Sequence, residues 1–319
     1  MGNVVLSVTT GIGLCWCGWL ITYPVLFWLL FTEYFWIPLL VFGWMLLDDT
    51  QNHGGRSWRP LQNSSITSQW CSHFPVSLHI TAAEQITPAN NYIFACHPHG
   101  IFGAGITCAL VTDGLQIAKR LPGMRFTPLV SRAVFAFPLF REVFLWMGCA
   151  NASQRNMEYI ARCGTGNVML LVPGGAAEMY EARPGKNTLI LEERKGFIRV
   201  ALQTGCLLVP VFSFGETSVF DQPFYAAVGS RLRRFQRWFT SLTGFPMVLV
   251  HGPSKIVFWR PYKRPIHVVV GRPIAVGKVS QPTQKEIDDL HANYKLALND
   301  LFNSCKSVYG FDKAQLKFS

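Results

Sequence analysis

Residues 92–100 read Tyr-Ile-Phe-Ala-Cys-His-Pro-His-Gly, a short apolar run that stops at two histidines. The run Tyr92 to Ala95 is wholly apolar, which predicts a buried strand. The segment Ile101 to Arg120 that follows is predicted to be helical. The two imidazoles are therefore expected on a tight turn at the carboxyl end of a strand, where open α/β sheets place their chemistry. Histidine is also the side chain best suited to exchange protons near neutral pH.

His97 and His99 are open to three interpretations. They can be two polar residues on an ordinary loop, since short motifs recur by chance. They can be ligands of a metal ion, but the sequence contains no Cys-x-x-Cys pair and no His-Glu-x-x-His that would complete such a site. They can also be proton-transfer groups, and the rest of the sequence favours this third interpretation. No metal is predicted.

Three more apolar runs, at residues 167–172, 206–211 and 266–270, predict strands. Helical patterns separate the strands between residues 90 and 215. Because strands that alternate with helices are typical of βαβ units, the predicted fold is α/β, with a mixed, mainly parallel sheet flanked by helices. A last helix is predicted to begin at Thr283-Gln284-Lys285-Glu286, which has the pattern of a capping box.

The predicted strand at 167–172 ends in Pro-Gly-Gly-Ala-Ala-Glu, residues 173–178. Glycines let backbone N–H groups approach a substrate oxygen or a phosphate closely. A plain strand-to-helix turn would have the same composition. The turn is thus a second candidate site element, with the carboxylate of Glu178 as its polar side chain.

Two apolar runs lie at the N-terminus. Met1 to Thr32 contains no charged side chain, and Gly11 to Phe31 within it is almost wholly apolar, about the length needed to cross a bilayer core. Tyr34 to Leu47 is a second, shorter run. Residues 1–50 are therefore predicted to form a membrane-embedded helical hairpin.

A hairpin returns the chain to the side from which it started, so residues 51–319 are predicted to form a single domain on one face of the membrane. Arg56 and Arg59 follow the hairpin and favour the cytosolic face. A secretory signal peptide and a pair of buried soluble helices are the alternatives.

Half of the chain is hydrophobic and 15% is charged, which excludes extensive disorder. Lys and Arg exceed Asp and Glu by 29 − 18 = 11, which favours anionic partners. Nucleic acid is not predicted, because no zinc-finger spacing or RNA-binding signature occurs. Residues 231–239 alternate arginines with large apolar side chains, as helices at a membrane interface do, although an ordinary amphipathic surface helix is the alternative.

Together these motifs make the chain similar to the type-2 diacylglycerol acyltransferase family, which includes monoacylglycerol and wax-alcohol acyltransferases. The family's His-Pro-His-Gly block matches residues 97–100, and its Gly-Gly-x-x-Glu block matches residues 174–178. A long block, Arg-x-Gly-Phe-x-(Lys/Arg)-x-Ala-x-x-x-Gly-x-x-Leu-Val-Pro-Val-x-x-Phe-Gly, matches residues 194–215. Residues 270–273, Val-Gly-Arg-Pro, resemble the closing block. The likeness covers nearly the whole chain.

The resemblance implies a glycerolipid-acyltransferase-like fold and transfer of a fatty acyl group from acyl-CoA to diacylglycerol, which makes triacylglycerol. Acyl-CoA is a substrate here, so no cofactor is expected. The implied partners are acyl-CoA, a neutral-lipid acceptor and the membrane bilayer, and a homo-oligomer is left open. The implied location is the endoplasmic reticulum membrane, with the lipid droplet surface as a second site.

The reaction needs a base, because a neutral alcohol is a poor nucleophile until its proton is removed. His97, the first residue after the predicted strand, is the predicted base, and His99 is given a supporting role. Glu178 is predicted to orient the His97 imidazole and to stabilise its cation. An acyl-enzyme at Cys96 is the rival mechanism, disfavoured because neighbours along a strand point to opposite faces.

Two sets of binding groups are predicted around these residues. Backbone N–H groups are candidates to stabilise the thioester oxyanion; they belong to Gly100, Gly174 and Gly175. Basic side chains are candidates to bind the CoA phosphates, although a solvated basic helix face would look the same; they are Arg194, Lys195 and Arg199.

The sequence departs from the family pattern at two places. The family's Tyr-Phe-Pro is His73-Phe74-Pro75 here. Related glycerolipid acyltransferases place an Asp five residues after the histidine, where this chain has Phe102 or Ala104, so the carboxylate partner must come from elsewhere. Three alternatives stay open: the same chemistry on monoacylglycerol, the same chemistry on a long-chain (wax) alcohol, and a catalytically inactive neutral-lipid-binding membrane protein.

Overall fold

The computed structural model of the chain describes residues 2–254, 256–257 and 259–319, with the side chains of residues 2–7, 12 and 14–17 excepted. The strands of these residues are β1 (Val76–Ile80), β2 (Tyr92–His97), β3 (Arg125–Val130), β4 (Ala150–Asn151), β5 (Asn167–Leu171), β6 (Thr188–Leu189), β7 (Leu207–Phe214), β8 (Ile266–Val270) and β9 (Lys317–Phe318). The helices are α1 (Gly2–Leu29), α2 (Trp36–Leu47), α3 (Arg59–Gln62), α4 (Ser65–His73), α5 (Ala104–Ile106), α6 (Ile117–Arg120), α7 (Phe140–Trp146), α8 (Gln154–Arg162), α9 (Gly175–Met179), α10 (Gly196–Thr204), α11 (Arg231–Thr243) and α12 (Gln284–Cys305).

Among the described residues the main sheet has seven strands in the order β1-β8-β7-β2-β5-β3-β4. Neighbouring strands pair in parallel except β7 and β8, which are antiparallel. Strands β6 and β9 pair separately. The predicted mixed, mainly parallel α/β fold is confirmed.

Strand β2 lies in the middle of the sheet, and both of its faces are buried. Tyr92, Phe94 and Cys96 pack into one hydrophobic cluster, and Ile93 and Ala95 pack into the cluster on the opposite face. Side chains alternate across a strand, so a run without polar interruptions can fill both faces only in a sheet covered by helices on both sides. The strand extends to His97, two residues beyond the predicted Ala95.

The helix predicted from Ile101 to Arg120 is broken into short pieces. Helix α5 continues into a π-helical segment, Thr107–Val111, and then stops. Thr112 is extended and its hydroxyl accepts a hydrogen bond from the N–H of Gly114, which competes with continuation of the helix. Gln116 is left-handed and separates α6 from the preceding turn.

Helices α1 and α2 are joined by the turn at residues 30–35. Helix α1 packs on the rest of the chain, and glycines on it allow close approach: Gly11 lies against Trp70, Gly13 against Trp259 and Gly18 against Phe140. Within the described residues, no helix has both the length and the apolarity that crossing a membrane requires. The division of the chain at residue 50 stays a prediction.

A buried ion pair joins the end of α2 to the body of the protein. Arg141 of α7 donates to the carboxylate of Asp48 at 2.9 Å and to its carbonyl at 2.6 Å. The same guanidinium donates to Gln51 at 2.7 Å and to Glu142 at 2.6 Å. Arg141 is almost completely buried, so each of these acceptors offsets the cost of desolvating its charge.

Candidate active site

Three neighbouring parallel strands, β5, β2 and β7, end at the same edge of the sheet. The turn after β2 carries His97 to Gly100. The turn after β5 carries Gly174 and leads to Glu178 in α9, and the turn after β7 carries Gly215 and Glu216. As predicted, the histidine turn and the glycine turn lie at one edge.

His97 is the last residue of β2, and none of its surface is exposed. Its Nε2 lies 3.0 Å from the hydroxyl oxygen of Tyr294 in α12. The Tyr294 hydroxyl donates its proton to the Ala95 carbonyl at 3.1 Å, so Nε2 of His97 carries the proton in the bond that they share. Burial lowers the pKa of His97 to about 3, which keeps the ring neutral.

His99 lies on the turn itself and is half-buried. Its Nδ1 is 3.3 Å from the Gly100 carbonyl oxygen. Burial lowers the pKa of His99, so its ring is neutral near pH 7 and can accept a proton. A general base must reach the proton that it removes, and the exposure of His99 favours it over the enclosed His97 for that role.

Glu178 is buried and acts on the backbone of the turn. Its Oε2 accepts the N–H of His99 at 2.9 Å, and its Oε1 accepts the N–H of Ile190 at 3.0 Å. The predicted contact with the His97 imidazole is therefore replaced by one with the His99 main chain. The carboxylate folds back over Gly174, where a Cβ would collide with it. Burial raises the pKa of Glu178 to about 7, although the positive charge of Arg194 acts to lower this pKa.

Glu216 is the functional candidate that sequence reasoning missed. It is buried, and its two carboxylate oxygens accept the N–H groups of Ala104 at 2.7 Å and Gly105 at 2.8 Å, the first residues of α5. Burial raises its pKa to about 7. A Cβ on Gly100 would lie 2.7 Å from the Glu216 Cγ, so this side chain packs directly on the histidine turn. One signal was available: Glu216 follows a buried strand and a glycine, as Glu178 does.

A family model, "Diacylglycerol acyltransferase", matches residues 27–319. The chain belongs to the diacylglycerol acyltransferase family. Human acyl-CoA wax alcohol acyltransferase 1 is 35% identical over 314 residues, which cover 94% of each chain. Diacylglycerol O-acyltransferase 2 of Xenopus laevis is 38% identical over 301 residues, which cover 92% of this chain and 82% of that protein.

Among solved structures, the 1-acyl-sn-glycerophosphate acyltransferase of Thermotoga maritima aligns with a TM-score of 0.42 and 10% identity, over 88% of this chain and 93% of that one. The sequence matches establish that this member of the diacylglycerol acyltransferase family is an acyltransferase.

The three glycines predicted to bind the oxyanion differ in this family member. The N–H of Gly175 donates to the Val172 carbonyl at 3.1 Å, so it is engaged in the turn, and this part of the prediction is not supported. Gly100 and Gly174 border His99 and Glu178, and they stay candidates. Both positions exclude a larger side chain, since each packs against one of the two buried glutamates.

The three predicted acyl-CoA ligands also differ. Lys195 forms an ion pair with Asp288 of α12 at 2.9 Å. Arg194 and Arg199 are exposed, and the charge of Arg194 reaches the carboxylate of Glu178. The two arginines are therefore more available to a phosphate than Lys195 is.

Cys96 lies beside His97 in the sequence but belongs to the opposite face of β2. Its thiol is buried, and it donates to the Phe94 carbonyl. Burial raises its pKa well above the usual range of a thiol, so the thiolate that an acyl-enzyme needs is disfavoured. Within the part of the chain that the structure describes, no group of His, Cys, Asp and Glu is arranged to hold a metal ion.

Proposed function

We propose that this protein transfers a fatty acyl group from acyl-CoA to the free hydroxyl of diacylglycerol, giving triacylglycerol and CoA. The observation that supports this most is the half-buried, neutral His99, whose main-chain N–H is fixed by the buried carboxylate of Glu178. The family membership supplies the reaction class, and the relatives named diacylglycerol O-acyltransferase 2 supply the acceptor.

In the proposed mechanism His99, rather than the predicted His97, is the general base. The acceptor oxygen attacks the thioester carbonyl carbon while His99 takes the hydroxyl proton. The carbonyl oxygen becomes an oxyanion, which the N–H groups of Gly100 and Gly174 stabilise. The C–S bond then breaks, and the CoA thiolate recovers the proton from the imidazolium. Glu178 and Glu216 are positioning residues, because Glu178 holds the main chain of His99 and Glu216 holds the start of α5 after the histidine turn.

Arg194 and Arg199 are proposed to bind phosphate groups of CoA, since guanidinium groups bind phosphate with paired hydrogen bonds. The Arg194→Glu/Arg199→Glu variant should raise the KM for acyl-CoA more than the KM for the acceptor. Arg155→Glu/Arg162→Glu, which changes two exposed arginines of α8, is the matched control. An equal rise in both KM values would contradict this assignment.

Association with the membrane is proposed on the surface of residues 20–47. Exposed large apolar side chains are concentrated there: Leu20, Ile21, Phe27, Trp28, Phe31, Trp36, Leu39, Leu40, Leu46 and Leu47. Water does not solvate a patch of this kind favourably, whereas lipid does. We place the hairpin in the endoplasmic reticulum membrane or on a lipid droplet, with the catalytic domain in the cytosol. Extraction of the protein from membranes by alkaline carbonate would contradict this.

The test of function uses the full-length chain in detergent micelles with labelled acyl-CoA. Diacylglycerol, monoacylglycerol and hexadecanol are offered in parallel, and His99→Gln is compared with His79→Gln, which changes an exposed histidine on β1. Label in triacylglycerol that His99→Gln abolishes and His79→Gln retains is the expected result. Absence of label from every product of folded protein would overturn the proposal in favour of a lipid-binding role.

Long-chain alcohol is the second candidate acceptor. The human relative named acyl-CoA wax alcohol acyltransferase 1 aligns over 94% of both chains, whereas the Xenopus laevis relative named for diacylglycerol is covered to 82%. Label in the hexadecanol ester alone would select this acceptor with the same catalytic groups.

A further inference from the structure

Helix α11 exposes the apolar side chains that a surface helix ordinarily buries. The usual surface helix packs its apolar stripe on the core and turns its polar side chains to water. In α11 the buried residues are Arg233 and Gln236. The sequence predicted an apolar face with arginines beside it, and the structure shows that this face points away from the protein.

The inward face of α11 is held by polar contacts. Arg233 forms an ion pair with Glu181 at 2.6 Å and donates to the Tyr180 carbonyl at 3.1 Å. Gln236 donates to the Met247 carbonyl at 3.0 Å. Because Arg233 and Gln236 satisfy these buried partners, rotation of the helix to bury its apolar face would leave a charge and several polar groups without partners.

The outward face consists of large apolar side chains at helical spacing, with arginines along its edge. Phe235 and Trp238 lie with ring centroids 5.7 Å apart. The exposed apolar residues of the face are Leu232, Phe235, Trp238 and Leu242, and the exposed arginines are Arg231, Arg234 and Arg237.

Aromatic contacts connect the C-terminal end of α11 with helix α1. Phe245, just after α11, packs edge-on against Phe137 at 5.5 Å between centroids. Phe137 in turn stacks with Trp19 of α1 at 6.3 Å. The Tyr23 hydroxyl of α1 donates to the Ala136 carbonyl. These contacts place the C-terminal end of α11 beside α1, the helix that leads into the surface already assigned to the bilayer.

We infer that the outer face of α11 lies on a lipid bilayer that carries anionic headgroups, as a second contact besides the hairpin. The inference rests on the membrane association proposed above. Large apolar side chains enter the headgroup region, and the arginines beside them pair with phosphate and carboxylate groups of the lipids. A second copy of the chain fits less well, because a symmetric contact would bring two sets of three arginines together.

The test places the full-length protein in vesicles whose acyl chains carry bromine, which quenches nearby tryptophans. The chain has ten tryptophans, so the contribution of Trp238 is the difference between the wild type and Trp238→Phe. We expect a loss of quenching of roughly one tenth in Trp238→Phe, larger in vesicles that contain phosphatidylserine than in phosphatidylcholine alone and smaller at high salt.

Two pairs of variants separate the apolar and the charged contribution. Leu242→Ser, at 70% exposure, should weaken docking, whereas Leu296→Ser of α12, at 64% exposure, should not. Arg231→Gln/Arg234→Gln/Arg237→Gln should lower the equilibrium constant for contact of α11 with the vesicle surface roughly fivefold for each arginine removed. Arg155→Gln/Arg162→Gln/Lys186→Gln, which also removes three exposed cations but lies outside α11, is its matched control.

Equal quenching of the wild type and Trp238→Phe would overturn the inference. Self-association of the protein that Leu242→Ser abolishes, without quenching of Trp238, would overturn it in favour of a second copy. Acyl transfer in detergent micelles is measured on the same variants and should stay unchanged. A failure of docking with intact acyl transfer is thereby distinguished from a failure of the proposed function.

Discussion

The end of strand β2 and the turn after it carry two histidines of one short motif in contrasting environments. His97 is enclosed by the sheet and by α12, and its ring is bonded to Tyr294. His99 is half-buried, and Glu178 holds its main chain rather than its ring. Because the strand ends between them, two residues of sequence separate an enclosed imidazole from a partly exposed one. The His-Pro-His-Gly motif therefore shows where the candidate site lies in the fold, but it does not by itself show which histidine reacts.

The largest expected effect tests that contrast directly. His99→Gln should lower kcat/KM by about 10²- to 10⁴-fold, since it removes the proposed base. His97→Gln should keep activity within about tenfold and instead lower the free energy of unfolding by about 1–3 kcal/mol, because it disturbs a buried polar pair. Kinetics in micelles and thermal unfolding of both variants make the comparison. The reverse pattern would assign the base to His97.

A substitution beside the turn should have the next largest effect. In Gly174→Ala the new methyl group would collide with the Glu178 carboxylate, so Glu178 would leave the N–H of His99. We expect a loss in kcat of about 10²-fold, the usual cost of misplacing a catalytic group by about 1 Å. Gly277→Ala is the matched control, because nothing lies within 4 Å of the Cβ that it adds. Full activity in folded Gly174→Ala would contradict the proposed role of Glu178.

The two buried carboxylates offer a third comparison. Glu216→Ala leaves two buried N–H groups without an acceptor, and below pH 7 it should lose about 2–4 kcal/mol of stability. Glu178→Ala leaves two partly buried N–H groups and should lose about 1–3 kcal/mol. Kinetics should separate them: Glu178→Ala should lower kcat more, since Glu178 bonds to His99 itself. Gln at either position should restore only part of the loss, because its amide has one acceptor oxygen for the two N–H groups. Equal kcat values would show that both glutamates act through the fold alone.

The pH dependence of stability tests the environment of Glu216. Its pKa is about 7 in the folded protein and 4.5 in an unstructured peptide, so between these values the folded state holds a proton that the unfolded state has lost. The stability of the wild type relative to Glu216→Gln should therefore fall as the pH rises from 4.5 to about 7, by about 3 kcal/mol in total. Thermal unfolding across this range measures it, and a constant difference would contradict the burial of an ionisable carboxyl.

The smallest effect is expected from a change at Tyr294, the partner of His97 at the end of β2. Tyr294→Phe removes the hydroxyl that bonds to His97 and to the Ala95 carbonyl. We expect about 0.5–1.5 kcal/mol less stability and turnover within a factor of about two. Leu298→Ala, a neighbouring buried side chain of α12 without a polar contact to the turn, controls for loss of packing. A large loss of turnover in Tyr294→Phe alone would connect His97 to the reaction.

The sequence allowed prediction of those features that depend on neighbouring residues. The apolar runs located β2, β5 and β8, and the capping box at Thr283 is present with both of its hydrogen bonds. Tyr294 could not be predicted as a partner of His97, because the two are 197 residues apart and Tyr294 stands in an apolar stripe typical of core. Which face of α11 is buried also depends on a distant residue, Glu181, which pairs with Arg233.

The ion pair at the end of α2 has a consequence for anyone who shortens the chain. A cut at residue 50 would remove Asp48, and with it the carboxylate and the carbonyl that receive the Arg141 guanidinium. The remaining protein would carry a buried cation held by Gln51 and Glu142 alone among its described partners. A cut after Leu47 keeps Asp48 and both of its acceptors for Arg141, but it still removes α1, whose glycines pack against Trp70, Trp259 and Phe140.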